Sequence, residues 1–265
     1  MSWWLGGPDG TALDAHDAER AFYAASTVKL PLAVAAHRLH EAGRLDLDAP
    51  VPVHDAPASA LPGARVVLDP ADDQEHRTWA ERGGDTSLRT LLRRTVALSG
   101  NLAAALVLEH VGLDAVRDVL LRAGCSPTTR IERTVGDGAA REAGLDNVVC
   151  ARDLGLVLAA LAGGRLLGAA ATDDLLADLR AQVHRGGIAA GLPAGLDVAG
   201  KPGWVDGLTH DTALVHPCDH PPLAVVVLTE HGHDRGGGEA LVARTAAGVW
   251  SGLEARVGRP LRGAP

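Results

Sequence analysis

A serine and a lysine three residues apart are the first pair in this sequence with the means to do chemistry. Ser26 and Lys29 lie in "FYAASTVKLPLAVAAH", residues 22–37, where the apolar residues predict a helix from about Ala25 to Glu41. Side chains at this spacing share one helix face, so a neutral lysine amine can take the proton of the serine hydroxyl. The positive end of the helix favours the resulting alkoxide. The pair is therefore a candidate nucleophile and base, but a lone S-x-x-K occurs by chance in many chains, and the alternative is a helix-capping serine with a solvated lysine.

Lysine is otherwise almost absent from the chain. Of 25 basic residues in the sequence, the only lysines are Lys29 and Lys201. A buried ammonium can lose its proton near neutral pH, whereas a guanidinium keeps its charge. The two lysines therefore mark positions where proton transfer or a compact charge is wanted.

Two further polar motifs accompany the Ser26–Lys29 pair. The stretch "SGN", residues 99–101, stands between two predicted helices, where a tight bend can point both polar side chains into a cleft. The stretch "KPGW", residues 201–204, follows a predicted strand and contains the second lysine.

The order S-x-x-K, S-x-N and K-x-G, at these spacings, resembles the motif set of class A serine β-lactamases and penicillin-binding proteins. The stretch "TRIER" and the loop that runs to Asn147 resemble the omega loop of that family. The resemblance implies an α+β fold of the β-lactamase/transpeptidase type, with an antiparallel five-stranded sheet flanked by helices and an all-helical lobe. We expect one domain over residues 1–265, with an α/β lobe at about 1–24 and 180–265 and the helical lobe at about 25–179.

The resemblance also implies catalytic roles. Ser26 would be the acylating nucleophile and Lys29 its base. Ser99 would pass a proton to the leaving group, and Lys201 would supply positive charge to Ser99 and to an anionic substrate group.

Four further residues would bind substrate by the same resemblance: Asn101, Gly203, Trp204 and His210. Asn101 would hold a substrate amide and position the base, and His210 lies about where family members often have a carboxylate-binding residue. The backbone N–H groups of Ser26 and Trp204 would form the oxyanion hole, in which each donor is worth about 3 to 4 kcal/mol.

Two departures from the family pattern concern hydrolysis of the acyl-enzyme and binding of the substrate carboxylate. The glutamate that activates the deacylating water in β-lactamases is expected two residues past Arg133, and Val135 stands there. Asp137 and Glu142 are the alternative bases in the same loop. Pro202 replaces a hydroxyl residue of the family and removes one backbone donor. The sequence thus predicts a serine hydrolase that is a poor penicillinase; the alternative is a non-hydrolytic ligand-binding or scaffold protein.

Composition limits the partners. The net charge of −8 and the pI near 5.8 argue against nucleic acid and anionic membranes. The resemblance to serine hydrolases implies a small-molecule substrate. The sequence contains no signal-peptide pattern and no apolar run of membrane-spanning length, which predicts a cytoplasmic chain. Three widely spaced cysteines favour reduced thiols. The cluster "EHGHD" at 230–234 is an alternative metal site, but its spacing fits no closed zinc pattern, and we expect no metal or other cofactor.

Hydrophobic periodicity and turn residues predict the remaining elements. A hairpin at 2–5 and 11–14 opens the chain, and residues 50–86 and 126–150 are expected to be irregular. A helix with a Thr172 cap is predicted over 172–182, and a terminal helix over 239–257. The other predicted helices cover 87–98, 102–111, 114–123 and 151–162, and three strands cover 196–203, 211–216 and 223–229.

Overall fold

Residues 1–263, which the computed structural model describes, form ten strands and ten α-helices. The strands are β1 (Ser2–Gly6), β2 (Ala12–His16), β3 (Phe22–Tyr23), β4 (Pro50–Pro52), β5 (Asp85–Ser87), β6 (Val148–Val149), β7 (Asp197–Gly200), β8 (Gly203–Val205), β9 (Leu208–His216) and β10 (Leu223–Glu230). The helices are α1 (Lys29–Glu41), α2 (Arg77–Ala80), α3 (Leu88–Ala97), α4 (Asn101–Val111), α5 (Leu113–Ala123), α6 (Gly138–Glu142), α7 (Ala151–Ala162), α8 (Ala169–Arg180), α9 (Ile188–Gly191) and α10 (Arg235–Val257).

The main sheet combines strands from the two ends of the chain. Its order is β2-β1-β10-β9-β7, every neighbouring pair is antiparallel, and β8 also pairs with β9. The sheet is therefore five positions wide, with β7 and β8 sharing the edge beside β9. This confirms the α+β fold with a five-stranded antiparallel sheet. Short two-stranded pairs, β3 with β6 and β4 with β5, lie outside the main sheet.

The central strand β10 divides the core into two parts. Its residues alternate between the two faces, as the twofold repeat of a strand requires. Ala224, Val226 and Leu228 belong to a large core shared with the helices between residues 29 and 179. Residues 223, 225 and 227 instead pack with α10 and α9. The sheet thus lies between a helical layer and α10, and the helical lobe has no core separate from the sheet.

Helix α1 lies in the middle of the larger core. Residues 29 to 37 are all buried, which is the pattern of a helix surrounded by other elements. Pro31 falls in its first turn, where a missing N–H costs no helical hydrogen bond. A 3₁₀ turn, Ala25–Val28, precedes α1 directly. The sequence expectation of one helix over 25–41 is met, with its first turn wound more tightly.

Several element boundaries differ from the sequence expectations: β9 begins three residues earlier than the predicted strand over 211–216, and short elements interrupt the segments expected to be irregular. Three further differences have a clear physical reason. The strand predicted over 196–203 is interrupted at 201–202, because Pro202 has no N–H for the ladder. Helix α8 begins at Ala169, so Thr172 is inside it and its N–H donates to the Gly168 carbonyl. Helix α10 begins four residues earlier than predicted, since the Asp234 side chain caps it despite three glycines in its first turn.

The remaining general features concern membranes and cysteines. Of the helices found between residues 1 and 263, none is both long enough and apolar enough to cross a membrane. Cys125, Cys150 and Cys218 are all free thiols.

A buried histidine on α1 predicts loss of stability in acid. His37 is 3% exposed, its Nε2 has no hydrogen-bond partner within residues 1–263, and burial lowers its pKa to about 4. The unfolded chain therefore binds a proton that the folded chain does not between pH 6.5 and 4, so stability falls as pH falls through this range. His37→Leu should reduce the loss of unfolding free energy between pH 7 and pH 5 by about 2 kcal/mol. Urea titrations at both pH values measure this, and equal losses in both proteins would contradict it.

Candidate active site

Ser26 is presented on a strained turn at the entrance of a cleft. The preceding residue, Ala25, has φ of +46°, a conformation that costs a non-glycine residue about 1 kcal/mol or more. The Thr27 hydroxyl donates to the Ala24 carbonyl at 2.6 Å and braces the turn. Ser26 is half-buried and lines a cleft of about 300 Å³. It is thus the accessible member of the predicted pair.

Lys29 is fully buried directly behind Ser26. Its Nζ lies 3.1 Å from the Ser26 hydroxyl, 2.6 Å from the Ser99 carbonyl oxygen and 2.8 Å from Oδ1 of Asn101. Burial lowers the pKa of Lys29 to about 7. A neutral amine has two N–H groups and one lone pair. Because the two carbonyl oxygens can only accept, they hold the two N–H groups and direct the lone pair at the Ser26 hydroxyl.

The Ser99 hydroxyl lies between the two lysines. Its Oγ is 3.4 Å from Nζ of Lys29 and 3.0 Å from Nζ of Lys201. Ser99 has φ of +60°, in the left-handed region, between the end of α3 and the start of α4. That bend turns both its hydroxyl and its carbonyl towards the lysines. The two lysines and two serines therefore form one continuous hydrogen-bonded chain.

Lys201 is held at the break between β7 and β8. The backbone N–H of Lys201 donates to the Thr212 carbonyl at 2.8 Å, and the Thr212 hydroxyl donates to the Lys201 carbonyl at 3.0 Å. Nζ also donates to the Pro202 carbonyl at 2.7 Å. Burial first, and then the neighbouring positive Lys29, lower the pKa of Lys201 well below its usual value.

A buried carboxylate that sequence reasoning missed faces Lys201. Asp211 on β9 accepts the N–H groups of Ile188 at 2.8 Å and of Thr212 at 2.9 Å. Burial raises the pKa of Asp211 to about 6, and the charge of Lys201 opposes that rise. Its sequence context, "THDTALVH", carries no motif, so only the pairing of β9 with β7 reveals its place.

Strand β8 passes very close to the nucleophile. A Cβ added at Gly203 would lie 2.7 Å from the Ser26 nitrogen and 2.9 Å from the Thr27 nitrogen. Any larger residue would have to move the strand or the turn. Trp204 follows at once and lines the cleft beside Ser26.

An arginine side chain packs on the ring of Trp204, a contact that the sequence did not indicate. The Arg235 guanidinium lies 3.7 Å from the centre of the Trp204 ring, and the His184 ring meets the same ring edge-on at 4.8 Å. Arg235 is further oriented by Nδ1 of His184 at 3.0 Å and by Glu239 at 3.0 Å. Positive charge is thus fixed against Trp204, in a neighbouring pocket that shares Trp204 and Val205 with the cleft of Ser26.

His210 is not in the cleft, which corrects its expected role in substrate binding. It is fully buried, with Nε2 placed 3.0 Å from the Tyr23 carbonyl and Nδ1 accepting the Thr229 N–H at 3.1 Å. Burial lowers its pKa to about 4, so it is neutral near pH 7. Both ring nitrogens are occupied, and its place is structural.

The omega-type loop presents Val135 at the active site. Val135 lines the cleft with Ser26 and also a small, mainly apolar cavity next to Lys29. Asp137 is 1% exposed, and its carboxylate accepts the Ser59 hydroxyl, the Ala60 N–H and the Ala140 N–H, so its oxygens serve to fasten the loop.

The two alternative loop bases are therefore not placed for catalysis. Both carboxylate oxygens of Asp137 already accept hydrogen bonds within the loop and its surroundings. Glu142 is exposed at the end of α6 and is not among the residues that line the cleft. The acidic residue that does line the cleft is Asp72, together with Gln74.

Two other features of the molecule lie away from this cleft. Within residues 1–263, no three His, Cys, Asp or Glu side chains come together as metal ligands. In "EHGHD" the rings of His231 and His233 stack at 5.6 Å, and His231 pairs with the Thr209 hydroxyl at 2.9 Å. A larger cavity of about 860 Å³ lies between the end of α1 and the α4–α5 turn and contains none of the predicted site residues.

Comparison with known proteins agrees with the geometry. The model of the beta-lactamase enzyme family matches residues 1–253. The chain belongs to this family. Among solved structures, a β-lactamase from Sphaerobacter thermophilus shares 27% identity with a TM-score of 0.79, over 98% of this chain and 92% of that one. Family and fold together support a serine hydrolase of the β-lactamase type.

More distant structures share the fold. A β-lactamase from Xanthomonas campestris is 22% identical with a TM-score of 0.79, over 94% of this chain and 90% of that one. A PBP-A variant with leucine replaced by glutamate, an acyl-enzyme complex with penicillin G, is 20% identical with a TM-score of 0.76, over 96% and 90%. Among curated proteins, none matches the sequence.

The close approach of β8 to the nucleophile predicts a steric effect. Gly203→Ala should lower the unfolding free energy by about 1 to 3 kcal/mol, because backbone nitrogens cannot make room for the added methyl group. Gly248→Ala, in open space on an exposed face of α10, is the matched control and should stabilise by roughly 0.5 to 1 kcal/mol. Urea unfolding measures both. Two variants that change stability alike would show that residue 203 is not confined.

Proposed function

We propose that this chain is a serine hydrolase that acts through an acyl-enzyme on an ester, amide or β-lactam. The observation that carries the proposal is the Lys29 amine, fully buried and 3.1 Å from the half-exposed Ser26 hydroxyl, with a pKa lowered to about 7. A general base is most effective when its pKa lies near the working pH.

Acylation would follow the hydrogen-bonded chain. The Ser26 oxygen attacks the substrate carbonyl carbon while its proton moves to Nζ of Lys29, giving a tetrahedral oxyanion. The oxyanion then collapses, and the bond to the leaving nitrogen or oxygen breaks. Ser99 donates its proton to that leaving atom and recovers one from Lys29, whose Nζ is 3.4 Å away. Lys201, 3.0 Å from the Ser99 hydroxyl, stabilises the charge that develops on it.

Substrate would be held by backbone and by charge. The N–H groups of Ser26 and Trp204 are the proposed oxyanion donors, supported by the close packing of Gly203 on the nucleophile turn. Asn101 offers its amide to the substrate. Pro202 offers no hydroxyl, and the positive charge that Arg235 holds against Trp204 is available for an anionic substrate group in its place.

Hydrolysis of the acyl-enzyme would be slow. Val135 has no titratable group, and the small cavity between it and Lys29 is lined mainly by apolar side chains, including Val28, Leu32 and Ala104. Within the described part of the chain, none of the residues that line this cavity is a carboxylate that could deprotonate a water held there. Loss of a general base typically costs roughly 10² to 10⁴-fold in rate. The enzyme would therefore be a poor penicillinase.

The same two residues, Val135 and Pro202, favour one alternative of a different class. A protein that kept the fold but lost turnover would bind ligands in the cleft without forming a bond. The nucleophile, base and relay are all present with hydrogen-bonding distances, so we prefer the enzyme.

Covalent labelling tests the proposal. An activated-ester probe or penicillin G should add to the native protein; intact-protein mass spectrometry should show one adduct, and peptide mapping should locate it on Ser26. Ser26→Ala should abolish it. Ser251→Ala, an exposed serine on α10, is the control and should label like the native chain. The binding protein would instead be supported if no acyl donor gave an adduct and if a ligand raised the unfolding temperature equally in the native chain and in Ser26→Ala.

A second prediction concerns the missing base. Penicillin G should give a burst of covalent protein followed by slow release, and Val135→Glu should speed that release by roughly 10-fold or more, because a carboxylate then faces the acyl bond. Val135→Gln is the matched control, equal in size to glutamate but without a base, and should not speed release. Rapid turnover by the native chain, with Asp137 and Glu142 variants unaffected, would place the base elsewhere.

A further inference from the structure

We propose that Asp73 is a positioning residue of this site: it fixes Asn101 at the start of α4 and supplies the negative charge that balances Lys29. The inference rests on the proposed function for its catalytic meaning. The hydrogen bonds of Asp73 do not depend on the proposed function.

Asp73 is a buried carboxylate in the irregular segment before α2, and it is 3% exposed. Oδ1 accepts the N–H of Asn101 at 2.8 Å, and Oδ2 accepts the N–H of Leu102 at 2.9 Å. Oδ2 also accepts Nε1–H of Trp79 at 2.8 Å, and Oδ1 the N–H of Glu75 at 3.2 Å. The carboxylate is thus fully coordinated, and two of its four partners are the first N–H groups of α4.

Helix α4 needs this cap because it cannot cap itself. Its N-cap residue is Gly100, which has no side chain to accept the free N–H groups of the first turn. A Cβ at residue 100 would lie 3.0 Å from Cβ of Glu75, so the packed loop leaves little space for a capping residue there. Asp73 supplies the acceptor from a different segment, 28 residues before Asn101.

The cap acts on the base through one residue. The backbone N–H of Asn101 donates to the Asp73 carboxylate, and the side-chain Oδ1 of Asn101 accepts a hydrogen bond from Nζ of Lys29 at 2.8 Å. The direct partners of Lys29 are all neutral oxygens. Lys201 faces it across Ser99, and Arg133 faces it across the small apolar cavity; both are basic.

Asp73 is therefore an anionic group whose charge acts on Lys29. Its charge opposes burial, which is the larger effect and lowers the pKa of Lys29. Removing the charge should lower that pKa further. A carboxylate that only closed the loop would have no such effect.

The presence of only two lysines makes this directly measurable. Protein labelled with ¹³C at the lysine ε-carbon gives two NMR signals, which Lys201→Arg assigns. In the native chain the Lys29 signal should titrate with a midpoint near 7. In Asp73→Asn the midpoint should move to lower pH by roughly one unit, and in Asp73→Glu, which keeps the charge, it should stay near the native value.

Glu75→Gln is the matched control from the same loop. Glu75 is 2% exposed, but its carboxylate binds only groups of Arg77 and Thr78. Its loss should leave the Lys29 midpoint unchanged. An Asp73→Asn protein that is folded and titrates like the native chain, or a shift equal to that of Glu75→Gln, would overturn the proposal.

A second measurement needs no variant. The first amides of a helix normally exchange with water rapidly, so slow hydrogen exchange at Asn101 and Leu102 in the native chain would confirm the Asp73 cap. Unprotected exchange at both would refute it. The NMR and exchange measurements involve no acyl donor, so they remain decisive even if Ser26 forms no adduct and the proposed function fails.

Discussion

The burial of two lysine amines within reach of one serine hydroxyl is the constraint on which this structure depends. Removing an ammonium from water costs several kcal/mol unless oxygen acceptors and opposite charge replace the solvent. Lys29 and Lys201 are both fully buried, and Ser99 is bonded to both. The surrounding fold must therefore supply acceptors at close range and carboxylates behind them. The negative charge of Asp73 favours the protonated form of Lys29, and that of Asp211 favours the protonated form of Lys201.

The architecture explains how two distant segments meet with this precision. Lys29 belongs to the helix at the centre of the larger core, and Lys201 directly follows β7 in the sheet that borders the same core. Both backbones are therefore fixed by packing on all sides. The approach of Gly203 to the nitrogen of Ser26 then sets the sheet edge against the nucleophile turn. Strain at positive φ is confined to Ala25 and Ser99 within the site, where tight packing can maintain it.

Much of this arrangement was predictable from the sequence, because the motifs combine short spacing with rare residue types. Ser26 with Lys29, "SGN" and "KPGW" all reach one cleft, and periodicity located most helices. The residues that were missed come from segments without periodicity. Asp73 lies in an irregular stretch, and the start of α10 at Arg235 was masked by glycines. The expected role of His210 was wrong because the sequence of a strand does not show which of its two faces is covered by other segments. In the structure both ring nitrogens of His210 bind backbone groups of neighbouring segments.

The central claim is that the pKa of Lys29 lies near 7, so that about half of it is neutral at pH 7, and that the neutral amine takes the Ser26 proton. The pH dependence of the rate at which an activated ester acylates Ser26 tests it most directly. A base with a pKa near 7 predicts a rate that rises from pH 5, is half-maximal near 7 and is level above about 8. A rate that keeps rising tenfold per pH unit up to pH 10 would mean that Lys29 stays protonated near pH 7, which would contradict the claim.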